Sequence, residues 1–295
     1  MRFGARAFCL LLLLLLVLCS ASASARAILV AAPAADSPLI NEFVAELRTK
    51  LPQDQVTVSV TPATDATSAD IIITLGKDML NWRLQSGLQT PSIAAYLNRH
   101  ALPSQPLPAY LTTLLANPKP IRQLRLAKIL VPRLRVAGFL YSEEQSSAHA
   151  EWTYPAEQSD LRLYSVIVKR PSNLTRDLLQ VLDTADVLIG LDDPGIYNAD
   201  NLKTILLTSY SRSKVLIGPS APFIEAGSLS TTYSTPGDMA HSVALLLQQD
   251  QLPGEVTYPA YFSVLSNAQV ARSLGLPEPD DETLRHLLTE LEQSP

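Results

Sequence analysis

Thiols, charged side chains and long apolar runs are all scarce in this chain, and each scarcity removes a class of function. Its two cysteines, Cys9 and Cys19, both fall near the amino terminus. Beyond them no disulfide framework and no thiolate chemistry is available. Charged residues make up 17% and aromatics 6% of the sequence, and no stretch interleaves Tyr or Phe with Lys or Arg. A nucleic-acid-binding surface is therefore not indicated. His100, His149, His241 and His286 are widely separated and lack metal-ligand spacing. No G-x-S-x-G elbow, H-E-x-x-H pair or P-loop is present. Asp192-Asp193 and Glu143-Glu144 are poor acid/base pairs, because adjacent residues rarely face one reacting group. A triad assembled from distant positions stays open, but the expectation is a binding protein rather than an enzyme, with no cofactor.

The one long apolar run, Phe8 to Leu18, follows Arg2 and Arg6. It is too short to span a bilayer comfortably. Small residues follow it, and Ala21-Ser22-Ala23, Ala23-Ser24-Ala25 and Ala25-Arg26-Ala27 each offer a cleavage pattern. Residues 1–25 therefore read as a secretory signal peptide, and the expected location is the periplasm. The alternative is a lipoprotein signal acylated at Cys19; Leu18, where a small residue is usual, argues against it. A cut after Ala25 removes Arg2 and Arg6 and takes the net charge from −5 to −7. An acidic exported protein is a poor candidate for binding nucleic acid or anionic lipid.

What is present is a globular composition, 47% hydrophobic, in a chain long enough for two lobes. The clearest stretch runs from Asp186 to Thr232. Two short apolar runs, Val187–Leu191 and Val215–Gly218, flank a segment with Leu202, Ile205, Leu206 and Ser209 on one helical face. Such alternation indicates a parallel sheet covered on both faces, whose ligands sit beyond the carboxyl ends of its strands. Upstream, Ala27–Ala32, Val56–Val60, Ala69–Leu75 and Ser92–Tyr96 read as strands. Helical spacing covers Ala109–Leu115 and Ile121–Leu130. The pattern restarts at Pro132 with Arg135–Leu140, and Leu161–Val168 alternates as a strand. A helix opens at Pro236 or Gly237.

Several segments together resemble a known family, the substrate-binding proteins of ABC transporters of the type that includes tryptophan- and tyrosine-binding members. The match is carried by Ala69–Gly76, Ile129–Ser142 (ILVPRLRVAGFLYS), Asp186–Asp193, Lys214–Leu229 (KVLIGPSAPFIEAGSL) and Phe262–Gly275. The sequence departs from the family at Lys77-Asp78, where the family has Thr-Pro, and at Ser142-Glu143, where it has Asn-Pro. The resemblance implies an α/β protein of the type I periplasmic-binding kind: two Rossmann-like lobes with parallel sheets around a ligand cleft. Lobe 1 is expected over residues 27–132 with a return segment 236–295, and lobe 2 over 133–235. The implied ligand is a small molecule such as an amino acid or related metabolite. The implied partner is a membrane ABC permease or, alternatively, a sensory receptor or kinase.

Candidate ligand-binding residues lie at strand ends. Asp192 and Asp193 can accept hydrogen bonds from a ligand amine or cap the following helix. Tyr141 and Ser142 offer a ring and hydroxyls, or pack within the lobe. Gly76, Lys77 and Asp78 lead into a helix whose amides can hold a carboxylate; Lys77 is otherwise a solvated lysine. Ser220 is a ligand contact or a helix cap, and Tyr233 sits near the expected lobe crossover.

Overall fold

The computed structural model describes residues 25–249 and 251–293; the leader, with Cys9 and Cys19, lies outside the described residues. The described residues form twelve strands: β1 (Ala27–Ala31), β2 (Gln55–Ser59), β3 (Ile71–Leu75), β4 (Ser92–Leu97), β5 (Leu111–Leu115), β6 (Val136–Tyr141), β7 (Arg162–Ile167), β8 (Val187–Ile189), β9 (Val215–Ile217), β10 (Ser230–Tyr233), β11 (Val256–Thr257) and β12 (Ser263–Ser266). They form two six-stranded sheets, ordered β11-β5-β4-β3-β1-β2 and β12-β10-β9-β8-β6-β7. Every pairing in the first sheet is parallel. The second is parallel except where β12 runs against β10. Central strands such as β3 and β6 are buried along their whole length, as strands covered on both faces must be.

Each sheet has its own core. In the first, Phe43, Val44 and Leu47 of the helix Pro38–Lys50 meet Met239, Ala240 and Val243 of the helix Pro236–Leu247 over Val30 and Ile73. The second of these helices starts in a capping box: Thr235 Oγ1 accepts from the Asp238 amide at 3.0 Å, and the Thr235 amide donates to Asp238 Oδ2 at 3.0 Å. The second core gathers Phe139, Leu178, Leu188 and Ile217.

The chain crosses between the sheets three times, after β5, after β10 and after β11. The helix Pro120–Leu130 buries Leu124, Leu126 and Ala127 in the second core, so the first crossing precedes it rather than falling at Pro132. β12 and the helix Asp281–Gln293 also pack with the second sheet, although the return segment as a whole was expected with the first. Leu111–Leu115, expected as helix, is a strand whose Thr112 and Thr113 are fully buried between β4 and β11. A short buried run carries no period that separates the two conformations; here sheet pairing decides.

The crossings are tied together by two buried side chains. Arg122 is 3% exposed and grips Glu292 with Nε and Nη2, each at 2.9 Å. It also donates to the Pro259 carbonyl and lies 3.7 Å over the Phe262 ring. Gln123, fully buried, donates to the Gly218 carbonyl at 3.0 Å and accepts from the Thr232 amide at 2.9 Å. These contacts join all three crossings.

Candidate functional site

The carboxyl ends of the two sheets face each other, and charged side chains bridge them. β4 ends at Leu97, and Arg99 and His100 follow directly. From the second sheet come Gly190, Leu191 and Asp192 after β8, with Glu151 and Trp152 from the segment after β6. His100 Nδ1 lies 2.8 Å from Asp192 Oδ2, and Arg99 pairs with Glu151. Tyr258, on the third crossing, donates its hydroxyl to Glu151 Oε2 at 3.0 Å. Burial pushes the Tyr258 phenol upward in pKa, against the pull of Arg99. The Arg99 amide donates to Asn117 Oδ1 at 2.7 Å, while its Nε is buried without an acceptor.

Apart from His100, these residues line a cavity of about 40 Å³, which Gln123, Gln145 and Pro219 also line. That volume holds an ammonium group or a few waters. A groove of about 670 Å³ shares Arg99, Gln145 and Glu151 with it and continues along Leu102–Leu107 and Gly254–Val256. Gly190 lets the strand ends approach so closely: a Cβ there would sit 2.6 Å from Pro219 Cδ. Among the described residues no group of three or more His, Cys, Asp or Glu could hold a metal ion, and no helix is long and apolar enough to cross a membrane.

Of the residues singled out in the sequence, Asp192 lines this cavity. Its neighbour does different work. Asp193 is 2% exposed, and its carboxylate accepts from the Ser142 amide (2.5 Å), the Ser142 hydroxyl (3.1 Å) and the Gly195 amide (2.9 Å). That network fastens the loop after β8 to the end of β6. Tyr141 is buried and stacked on His149 at 4.3 Å between centroids, and burial holds the His149 imidazole below its ordinary pKa. Gly76, at φ +82°, ends β3 and opens the helix Lys77–Gln85, with Lys77 and Asp78 exposed. Ser220 precedes the helix Ala221–Ala226, and its side chain makes no capping hydrogen bond. Tyr233 is half-buried at the end of β10; burial raises its phenol pKa, and the charges of Asp238 and Asp281 add to that. Tyr141, Ser142 and Asp193 thus form one internal cluster, while Gly76, Lys77, Asp78, Ser220 and Tyr233 stand apart from the cavity walls.

Arg99, His100, Asn117, Glu151 and Tyr258 were not singled out. The strand-end rule that selects Gly76 after β3 selects Arg99 and His100 after β4 equally well. Asn117 follows from it only once Leu111–Leu115 is read as a strand.

Two largely parallel sheets joined by three crossings, with a charged cleft between their carboxyl ends, define the type I periplasmic-binding architecture, and the chain shares its fold with substrate-binding proteins of ABC transporters. No family model matches the sequence, and no curated protein matches it. Among solved structures, it is similar to the ligand-free, open form of a substrate-binding protein with adhesive properties from Clostridium difficile. That match has 12% identity and a TM-score of 0.65, covering 87% of this chain and 97% of the other. It is similar also to an ABC domain in complex with L-Trp from Streptococcus pneumoniae (17% identity, TM-score 0.51, 87% and 97% covered). A conserved domain protein from Vibrio cholerae matches at 14% identity and TM-score 0.52, covering 89% and 98%. At these identities the likeness is one of fold.

Proposed function

We propose that this is an exported solute-binding protein that captures a small molecule bearing an amine between its two lobes and delivers it to an ABC importer. The observation that carries this reading is the cleft itself, bridged by partly exposed ion pairs while the buried Arg122, paired with Glu292, holds the crossings behind it. A solute that replaces the bridging pairs favours one separation of the lobes over another, and a membrane partner can read that difference. Asp192 is the acceptor for the amine, and Arg99 the cation nearest any acidic group. The bound form can equally be presented to a sensory receptor, since both roles use one scaffold. Binding without turnover is expected.

Export is supported by the leader pattern. Arg26 bonds Asp54 through Nε at 3.1 Å and the Leu247 carbonyl at 2.7 Å, so a mature chain that keeps this contact begins no later than Arg26. A thermal-shift and calorimetry screen of the mature protein against amino acids and related metabolites tests the reading. A stoichiometric, saturable response without product formation supports it; turnover, or no response from any small molecule, rejects it.

A further inference from the structure

The charge around the cleft says what kind of solute fits. The cavity and its groove are lined by four carboxylates, Glu144, Glu151, Asp192 and Glu255. Facing them are Arg99 and His100; Lys119, beside the cavity wall, is drawn to Glu292 instead. Arg99 is matched by Glu151 and His100 by Asp192. Glu144 and Glu255 are both exposed and have no ion-pair partner among the described residues. They belong to different sheets, Glu144 following β6 and Glu255 preceding β11, yet they line the same groove. Like charges placed on either side of a groove repel unless a cation lies between them.

The inner cavity has a second feature of a cation site, independent of the carboxylates. Two aromatic residues, Trp152, 7% exposed, and Tyr258, are among those that line it. Aromatic faces attract ammonium groups through their quadrupole, most strongly when desolvated. Size then separates head from tail. The cavity of about 40 Å³ takes one ammonium group, and the adjoining groove of about 670 Å³ takes an extended chain.

Resting on the binding reading above, we propose that the solute is an elongated organic cation of the linear diamine or polyamine class. One ammonium head sits in the cavity between Asp192, Glu151 and the Trp152–Tyr258 wall, and a second amine lies in the groove between Glu144 and Glu255. The head group competes with His100 for Asp192 and with Arg99 for Glu151, so occupancy exchanges inter-lobe pairs for contacts that both lobes make to one ligand.

The test uses three probes of one length on the mature chain: 1,4-diaminobutane, 1,4-butanediol and succinate, each followed by calorimetry. The diamine is expected to bind, to weaken as salt is raised, and to lose about tenfold in affinity in the Glu144→Gln/Glu255→Gln double variant. Both positions are exposed, so that variant keeps its fold, which circular dichroism verifies. Succinate or the diol binding as tightly as the diamine overturns the proposal, as does an unchanged affinity in the double variant. If the diamine fails while another small molecule binds, the cation assignment falls and the cleft reading stands. If no small molecule binds, both fall.

Discussion

Two arginines, one at the hinge and one at the cleft, show how the same side chain serves rigidity in one place and exchange in the other. Arg122 is 3% exposed, bonded through two nitrogens to Glu292 and stacked on Phe262. Arg99 leaves 29% of its side chain exposed and pairs with Glu151 across the lobes, its Nε lacking an acceptor. A fully satisfied buried pair resists opening, because separating it strands a charge. A partly exposed pair is cheap to exchange, because water and ligand groups can replace either partner. The molecule therefore concentrates stability where its chain segments cross and leaves its cleft loosely held.

Removing one partner at the hinge tests this contrast most severely. Arg122→Ala is expected to cost about 2–3 kcal/mol of unfolding free energy, because the largely buried Glu292 loses both short hydrogen bonds and keeps only Lys119 at 3.4 Å. Chemical denaturation measures it, and a loss below about 1 kcal/mol would place the clasp elsewhere.

Acid should weaken the same clasp. Burial pushes the Glu292 carboxyl upward, but the Arg122 hydrogen bond and charge, with Lys119, outweigh it and hold the pKa below the ordinary 4.5. A carboxyl depressed in the folded state contributes stability above its ordinary pKa and loses it as pH falls through the folded value. Stability should therefore decline below about pH 4.5 in the wild type. Glu292→Gln should show a shallower decline over that range.

Next in size is a comparison of neighbours. Asp193→Ala removes an acceptor from three donors and is expected to cost about 1–3 kcal/mol. Asp192→Ala breaks only the partly exposed pair with His100, worth about 0–1 kcal/mol. Solute affinity should divide the two the other way, with Asp192→Ala weakening binding on the order of tenfold to a hundredfold. Equal stability losses in the two variants would remove the distinction between loop anchor and ligand acceptor.

Much of the fold was legible in the residues. Uncharged runs such as Ile71–Leu75 and Val136–Tyr141 can be satisfied only inside a sheet covered on both faces, and Pro236 with Thr235 and Asp238 marks a helix start. The site was legible in part. Strand ends pointed to Asp192, but nothing local separated it from Asp193, since both are acidic residues in one loop. Tyr141 read as a platform for a ligand, and His149, eight positions on, takes its face instead.

The sequence by itself determined the α/β class, the elements with sharp period or caps, and the side of each strand where chemistry collects. Tertiary structure alone decided the partners. His100 meets Asp192 across 92 positions, and Arg122 meets Glu292 across 170. Hydrophobic period and capping act over one or two turns, so they specify an element and its buried face. Which carboxylate faces which cation depends on how two separately formed sheets are joined, and no local pattern carries that information.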